Sequence, residues 1–76
     1  MRLISQNGAI DVPYEMSAIR NDDNLIILCM AGETGKGSVI ATYSTSKKAQ
    51  KAMEMLHEAY ACERYFRFPQ DEDVEV

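Results

Sequence analysis

A glycine-rich loop is the first feature of this chain that could perform chemistry. It spans Gly32–Ser38 and contains three glycines and one lysine. A phosphate-binding loop needs the pattern G-x-x-x-x-G-K-[ST] between a strand and a helix, because backbone N–H groups and the helix dipole then meet the phosphates. Counted from Gly32, the second glycine is Gly37, but Ser38 follows where the pattern requires lysine. We therefore predict a hairpin loop here and no nucleotide site.

The other reactive side chains are scattered along the chain. His57 is the only histidine, and acid–base or nucleophilic catalysis would require an activated partner beside it. Cys29 and Cys62 form no C-x-x-C pair and have no metal-ligand spacing with the histidine. Glu54 and Glu58 lie one helical turn apart and are explained as solvating charges on an exposed face. The sequence therefore predicts a protein that is not an enzyme, with no catalytic, cofactor or metal site.

Basic residues near the predicted helix suggest an alternative activity. Two adjacent lysines in the first helical turn oppose the helix dipole, at a cost of about 0.3–1 kcal/mol, which slightly favours a functional use for them. With Tyr65 they could contact phosphate and stack bases, although lysines on a helix usually form a solvated face. The candidate anion patch of a nucleic-acid-associated regulator consists of Lys47, Lys48, Lys51, Arg64 and Arg67.

The charge distribution argues against general nucleic-acid binding. The formal net charge is −4, but residues 71–76 carry four acidic side chains. Without that tail the body is neutral, so it has no broad field to attract a phosphate backbone. We predict one domain over residues 1–70 and a frayed acidic tail over 71–76, since 76 residues cannot supply two cores.

Several features predict a soluble cytoplasmic protein. The composition, 46% hydrophobic and 26% charged, is typical of a folded domain. Two cysteines cannot build the disulfide framework of a small secreted domain, so both are expected to be reduced. The longest apolar run, residues 25–31, is far shorter than the roughly 20 residues that a membrane helix needs.

The first half of the chain has the pattern of antiparallel strands. Asn7-Gly8 favours a two-residue type I′ hairpin between strands 2–6 and 9–12. Pro13 should interrupt the second strand, and a further strand should span 14–20. A run of turn formers at 21–24 then reverses the chain into residues 25–30.

The second half should contribute a strand, one helix and a last strand. Residues 39–43 read as a strand, and Ser44-Thr45-Ser46 offers three N-cap candidates. Apolar residues then recur at three- and four-residue spacing, which predicts an amphipathic helix over about 45–61. The alternating aromatic segment 64–68 predicts a strand. The predicted fold class is α+β: a curled, mainly antiparallel sheet of five to six strands with this helix packed on one face.

Residues 25–30 carry the main prediction about partners. They are apolar at every position, which is typical of a central strand covered on both faces. The helix can cover one face, but in so small a protein the other face needs a strongly curled sheet or a second subunit. We therefore predict protein–protein binding, with the chain itself as a candidate partner in a homodimer. The candidate interface residues are Leu25, Ile27, Cys29, Met55 and Tyr65.

Five segments distributed between residues 1 and 69 carry a family resemblance: Met1–Ser5, Ile10–Glu15, Ala41–Thr45, Lys51–Leu56 and Phe66–Pro69. In combination they resemble short, uncharacterised prophage-associated proteins of Gram-positive bacteria. That resemblance implies a prophage accessory protein in which a mostly β sheet is followed by a helix, and it implies no particular activity.

Overall fold

The computed structural model describes residues 1–30 and 37–75 of the chain. Within them the chain forms six strands and one α-helix. In chain order these are β1 (Arg2–Ile4), β2 (Asp11–Pro13), β3 (Ser17–Asp22), β4 (Leu25–Met30), β5 (Ser38–Thr42), α1 (Ser46–Tyr60) and β6 (Tyr65–Arg67). Two 3-10 turns are Tyr14–Met16 and Asp71–Asp73.

The α+β class is confirmed, but the prediction of a single sheet with five to six strands is wrong. The strands form sheet A, in the order β2-β1-β6, and sheet B, in the order β3-β4-β5. The Tyr14 N–H still donates to the Met1 carbonyl at 2.8 Å beyond Pro13, and the 3-10 turn at Tyr14–Met16 then redirects the chain. Strand β3 consequently starts at Ser17 and joins the other sheet. Strand β6 pairs parallel with β1, whereas the other pairings are antiparallel.

The first hairpin has the predicted register but a different turn. Leu3 faces Val12, which is the pairing that a two-residue loop at Asn7-Gly8 dictates. Gly8 has a φ of 79°, and its N–H donates to the Ser5 carbonyl at 3.0 Å. Asn7 does not have a positive φ, which a type I′ turn would require at both positions. The predicted type I′ turn is therefore wrong.

Strand β4 lies at the centre of sheet B, as predicted. Ile26 and Leu28 are buried in the core. Opposite them, β5 contains a bulge, because Ile26 faces Ala41 while the next residue of β4 faces Val39. Such an insertion lets two consecutive side chains point the same way, and Ile40 and Ala41 are both buried in the core.

Helix α1 packs against both sheets. It begins after Thr45, whose side-chain oxygen accepts a hydrogen bond from the Lys48 N–H at 3.2 Å. This confirms an N-cap within the predicted Ser-Thr-Ser segment. Ala49, Ala52 and Leu56 are fully buried, and the helix contacts β3, β4 and β6. Small alanine side chains allow the helix to approach the sheets closely.

Gln6 joins the two sheets at the outer edge of β5. Its backbone N–H donates to the Ile40 carbonyl at 2.8 Å. Its side-chain amide accepts from the Thr42 N–H at 3.0 Å and donates to the Thr42 carbonyl at 3.1 Å. The same amide nitrogen donates to the Pro69 carbonyl at 3.1 Å. The amide thus pairs with β5 as a peptide unit of a neighbouring strand would.

The acidic tail is packed on the domain, so the prediction that it frays does not hold for residues 70–75. Val74 is 3% exposed and belongs to the core. The buried Tyr43 hydroxyl donates to the Pro69 carbonyl at 2.8 Å. The Asp71 carboxylate accepts from the Ser44 N–H at 2.7 Å. The tail's charges suggested solvation, but an apolar side chain and a capping carboxylate hold this segment in place.

Candidate functional site

The five residues predicted to form one interface lie on two separate surfaces. Leu25, Ile27 and Cys29 alternate along β4 with residues of the core, so they face away from α1 on the other side of sheet B. Met55 and Tyr65 belong to α1 and β6 and line a common groove. The structure therefore does not bring the five residues together.

The outer face of sheet B exposes less apolar surface than the sequence suggested. Ile27 retains 7% of its surface, and Leu25 and Cys29 are half-buried within the single chain. Val39 lies on β5, where it pairs with Ile27 of β4, and it is 52% exposed. A second subunit is consequently not needed to bury Ile27 itself.

The groove lies between the C-terminal half of α1 and the whole length of β6. It has a volume of about 500 Å³ and opens to solvent. On the helix side, three lining residues of α1 recur at positions i, i+3 and i+4, which is one helical face. On the strand side, all three residues of β6 contribute. We call it the α1–β6 groove; it is lined by Met55, Glu58, Ala59, Cys62, Glu63, Tyr65, Phe66 and Arg67.

Strand β6 is an open edge of sheet A. The Arg2 N–H donates to the Arg64 carbonyl at 3.0 Å, and the Phe68 N–H donates to the Ile4 carbonyl at 3.1 Å. In a parallel ladder these bonds come from alternate residues, so the backbone groups of Tyr65 and Arg67 point away from β1. Within residues 1–30 and 37–75, those outward N–H and C=O groups have no hydrogen-bond partner.

The candidate anion patch is divided between the two ends of α1. Lys47 and Lys48 lie in the first turn, and Arg64 follows the last. A helix of 15 residues is about 22 Å long, so these charges cannot grip one phosphate group together. The Lys51 Nζ lies 3.9 Å from the Glu54 carboxylate, and the Arg67 guanidinium donates to the Gln6 carbonyl at 3.2 Å. The five basic residues do not form a single patch.

Lys48 has a structural partner that explains its unusual place near a helix N-terminus. Its Nζ donates to the Asp71 carbonyl oxygen at 2.9 Å and lies 3.5 Å from the Asp71 carboxylate. The tail thus brings a negative charge to the helix N-terminus, where the dipole favours one. The hydrogen bond from the Ser44 N–H lowers the pKa of Asp71, and the Lys48 charge adds to this effect. Burial, followed by the Asp71 charge, raises the pKa of Tyr43.

The residues considered for catalysis occupy separate positions. His57 is exposed in the last turn of α1, where the dipole favours a positive charge. Cys29 and Cys62 are free thiols, and Glu54 is in the ion pair with Lys51. In the part of the chain that the structure describes, no group of three His, Cys, Asp or Glu side chains could hold a metal ion.

Most of the glycine-rich loop, residues 31–36, lies outside the described residues. Gly37 is described and has a φ of 80°, which favours glycine. A β-carbon at this position would collide with the Leu28 carbonyl oxygen. The glycine therefore has a structural role at the start of β5.

Over residues 1–30 and 37–75, the structure contains no helix with the length and apolarity needed to cross a membrane. Protein-family models, curated proteins and solved structures were compared with the chain, and none of them matches it.

Three residues that matter for the candidate site were missed by sequence reasoning. Gln6 gave no local signal, because its partners lie 36 and 63 positions away. Phe66 was assigned to a strand, but its place beside an open edge depends on the pairing with β1. Asp71 could have been found, since an acidic residue is the expected complement of lysines at a helix N-terminus.

Proposed function

We propose that this chain is a non-enzymatic prophage accessory protein that acts by binding protein, and that it binds a second copy of itself. The observation that supports this is the open edge of β6 beside the α1–β6 groove. Exposed strand edges are sites of pairing with another chain, and natural proteins usually cover or shorten them. The prophage origin is supported by the sequence resemblance alone.

The side chains around this edge are of the kinds that dominate protein contacts. Tyr65 is 60% exposed and lines the α1–β6 groove. Met55, which lies in the groove, is half-buried. Aromatic residues are enriched in interfaces because they bury a large area, and methionine because its flexible side chain adapts to irregular partners. A cytoplasmic location belongs to the same proposal and is supported by the two free thiols.

The oligomeric state of the untagged chain tests this proposal. Sedimentation velocity over a wide range of protein concentration should show the mass rising from 8.6 kDa toward twice that value. A mass of 8.6 kDa at every concentration would contradict self-association. Retention on single-stranded DNA or RNA at low salt, lost in the double variant Lys47→Glu with Lys48→Glu, would support the nucleic-acid alternative instead.

A further inference from the structure

We infer that two copies of this chain associate edge to edge through β6, with the two strands antiparallel and Phe66 facing the partner's Phe66. This inference rests on the proposed function and assigns its surface and register. It would join the two copies of sheet A into one continuous six-stranded sheet across a two-fold axis. A two-fold contact requires a surface that is complementary to itself.

The backbone of β6 meets that requirement. Tyr65 and Arg67 present their N–H and C=O groups to the open edge, and Phe66 presents its groups to β1. In an antiparallel pair centred on Phe66, Tyr65 lies opposite the partner's Arg67. In an antiparallel ladder, two opposite residues whose N–H and C=O groups point toward each other exchange two hydrogen bonds. The two such pairs would therefore form four bonds without disturbing any that exist within one chain.

The side chains on the outer face of sheet A are complementary in the same register. Tyr65 and Arg67 lie on this face, opposite Arg2 and Ile4 of β1. Each tyrosine ring would lie beside the partner's guanidinium, and a cation beside an aromatic face is attracted to it. Within one chain the Arg67 guanidinium donates to the Gln6 carbonyl at 3.2 Å, beyond the end of β1, so this side chain would turn toward the open edge on pairing. Cross-strand pairs of this kind stabilise sheets.

The α1–β6 groove supports the same pairing from the core side of the sheet. A second copy placed on β6 would bring its own helix next to Met55, Ala59 and Cys62. Glu58, Glu63 and Arg67 are among the groove's lining residues, so each copy contributes both signs of charge. Charges of both signs are compatible with contact between identical surfaces.

The other edge strands that the structure describes are less suitable for pairing. The outer edge of β5 is occupied by Gln6. Strand β2 ends in Pro13, which has no N–H to donate. Strand β3 carries two exposed charged side chains, Arg20 and Asp22, whereas β6 carries one, Arg67, and charges on an edge discourage strand addition. Strand β6 combines unpaired backbone groups with an adjoining apolar groove.

Two opposite charges placed at Tyr65 test the register. In Tyr65→Arg, each new arginine faces the partner's Arg67, and two like-charge pairs should raise the dissociation constant of the dimer by about tenfold. In Tyr65→Glu, the new carboxylate faces the same arginine, so the dissociation constant should be unchanged or lower. Tyr65 is 60% exposed, so both variants should fold, which thermal unfolding verifies. Val39→Asp, on the outer face of sheet B, is the matched control and should leave the dimer intact.

The outcomes separate this inference from the proposed function. If both Tyr65 variants raise the dissociation constant equally, or if Val39→Asp dissociates the dimer, the β6 pairing is wrong while the proposed function stands. A wild-type chain that never dimerises overturns both.

The two thiols provide an independent measurement in the wild-type chain. Cys62 lines the α1–β6 groove and is exposed, whereas Cys29 lies on β4 and is half-buried. The rate of Cys62 alkylation should fall as protein concentration rises through the dimerisation range, and the rate for Cys29 should stay constant. A Cys62 rate that does not change on dimerisation contradicts the inference.

Discussion

Two edge strands of this small protein differ in how their backbone groups are satisfied. At the outer edge of β5, the Gln6 side chain pairs with both the N–H and the C=O of Thr42. At the outer edge of β6, the corresponding groups of Tyr65 and Arg67 have no partner among the described residues. Together with the Gln6 N–H, which donates to the Ile40 carbonyl, this side chain closes the β5 edge. An edge without such a closure remains available for another chain.

Proline substitution at one position of each edge should produce the largest difference in the free energy of unfolding. Thr42→Pro removes an N–H that donates to Gln6, so we expect a loss of about 2–3 kcal/mol in the free energy of unfolding. Tyr65→Pro removes an N–H that no described residue accepts, and proline is tolerated on such edges, so the expected loss is about 1 kcal/mol or less. Chemical denaturation at a low protein concentration measures both. Equal losses would contradict the difference between the edges.

Removing the closure itself should have the next largest effect. Gln6→Ala eliminates three side-chain hydrogen bonds, two to Thr42 and one to the Pro69 carbonyl. Unpaired backbone groups remain, so the expected loss of unfolding free energy is about 2 kcal/mol. The matched control is Gln70→Ala, whose side chain makes one exposed hydrogen bond to the Gln6 carbonyl, with an expected loss of about 0.5 kcal/mol. Similar losses for the two variants would show that Gln6 does not close the β5 edge.

The smallest effect on stability should come from changes in the tail, which follows β6 and returns to the end of β5. Hydrogen bonding from the Ser44 N–H lowers the pKa of Asp71 in the folded chain. A lowered folded pKa gives a stabilising contribution that is present above the unfolded pKa, about 3.9, and is lost as the pH falls through the folded value. We therefore expect the thermal midpoint to fall in acid below about pH 4.

Asp71→Asn provides the comparison for that acid titration. Its thermal midpoint should be lower than that of the wild type at pH 7 and should depend less on pH in the acid range. Some pH dependence should persist, because the hydrogen bond from the N-terminal amine lowers the pKa of Glu15 as well. An identical acid profile for the two proteins would contradict the role assigned to Asp71.

Local sequence patterns predicted the elements that depend on near neighbours. Residues 25–30 form the central strand of sheet B, and α1 begins within the predicted Ser-Thr-Ser cap. The register of the first hairpin also follows from the short loop at Asn7-Gly8. In each case the periodicity or the turn residues are contained in one segment, so no distant contact was needed to read them.

The features that escaped prediction depend on contacts between distant segments. The division into two sheets depends on a 3-10 turn at Tyr14–Met16, whose residues also suit a strand. The parallel pairing of β6 with β1 joins the two ends of the chain. The same reason separates Met55 and Tyr65 from Ile27, because which residues share a surface is decided by how the sheets pack. The sequence could identify apolar candidates but could not group them.

Hydrogen exchange of individual backbone amides distinguishes the closed β5 edge from the open β6 edge. The Thr42 amide should be protected at every protein concentration, since Gln6 accepts its hydrogen bond within one chain. The Tyr65 and Arg67 amides should exchange rapidly in dilute protein and become protected as the concentration rises. Fast exchange of Thr42 in dilute protein, or Tyr65 and Arg67 rates that do not depend on concentration, would contradict this difference between the two edges.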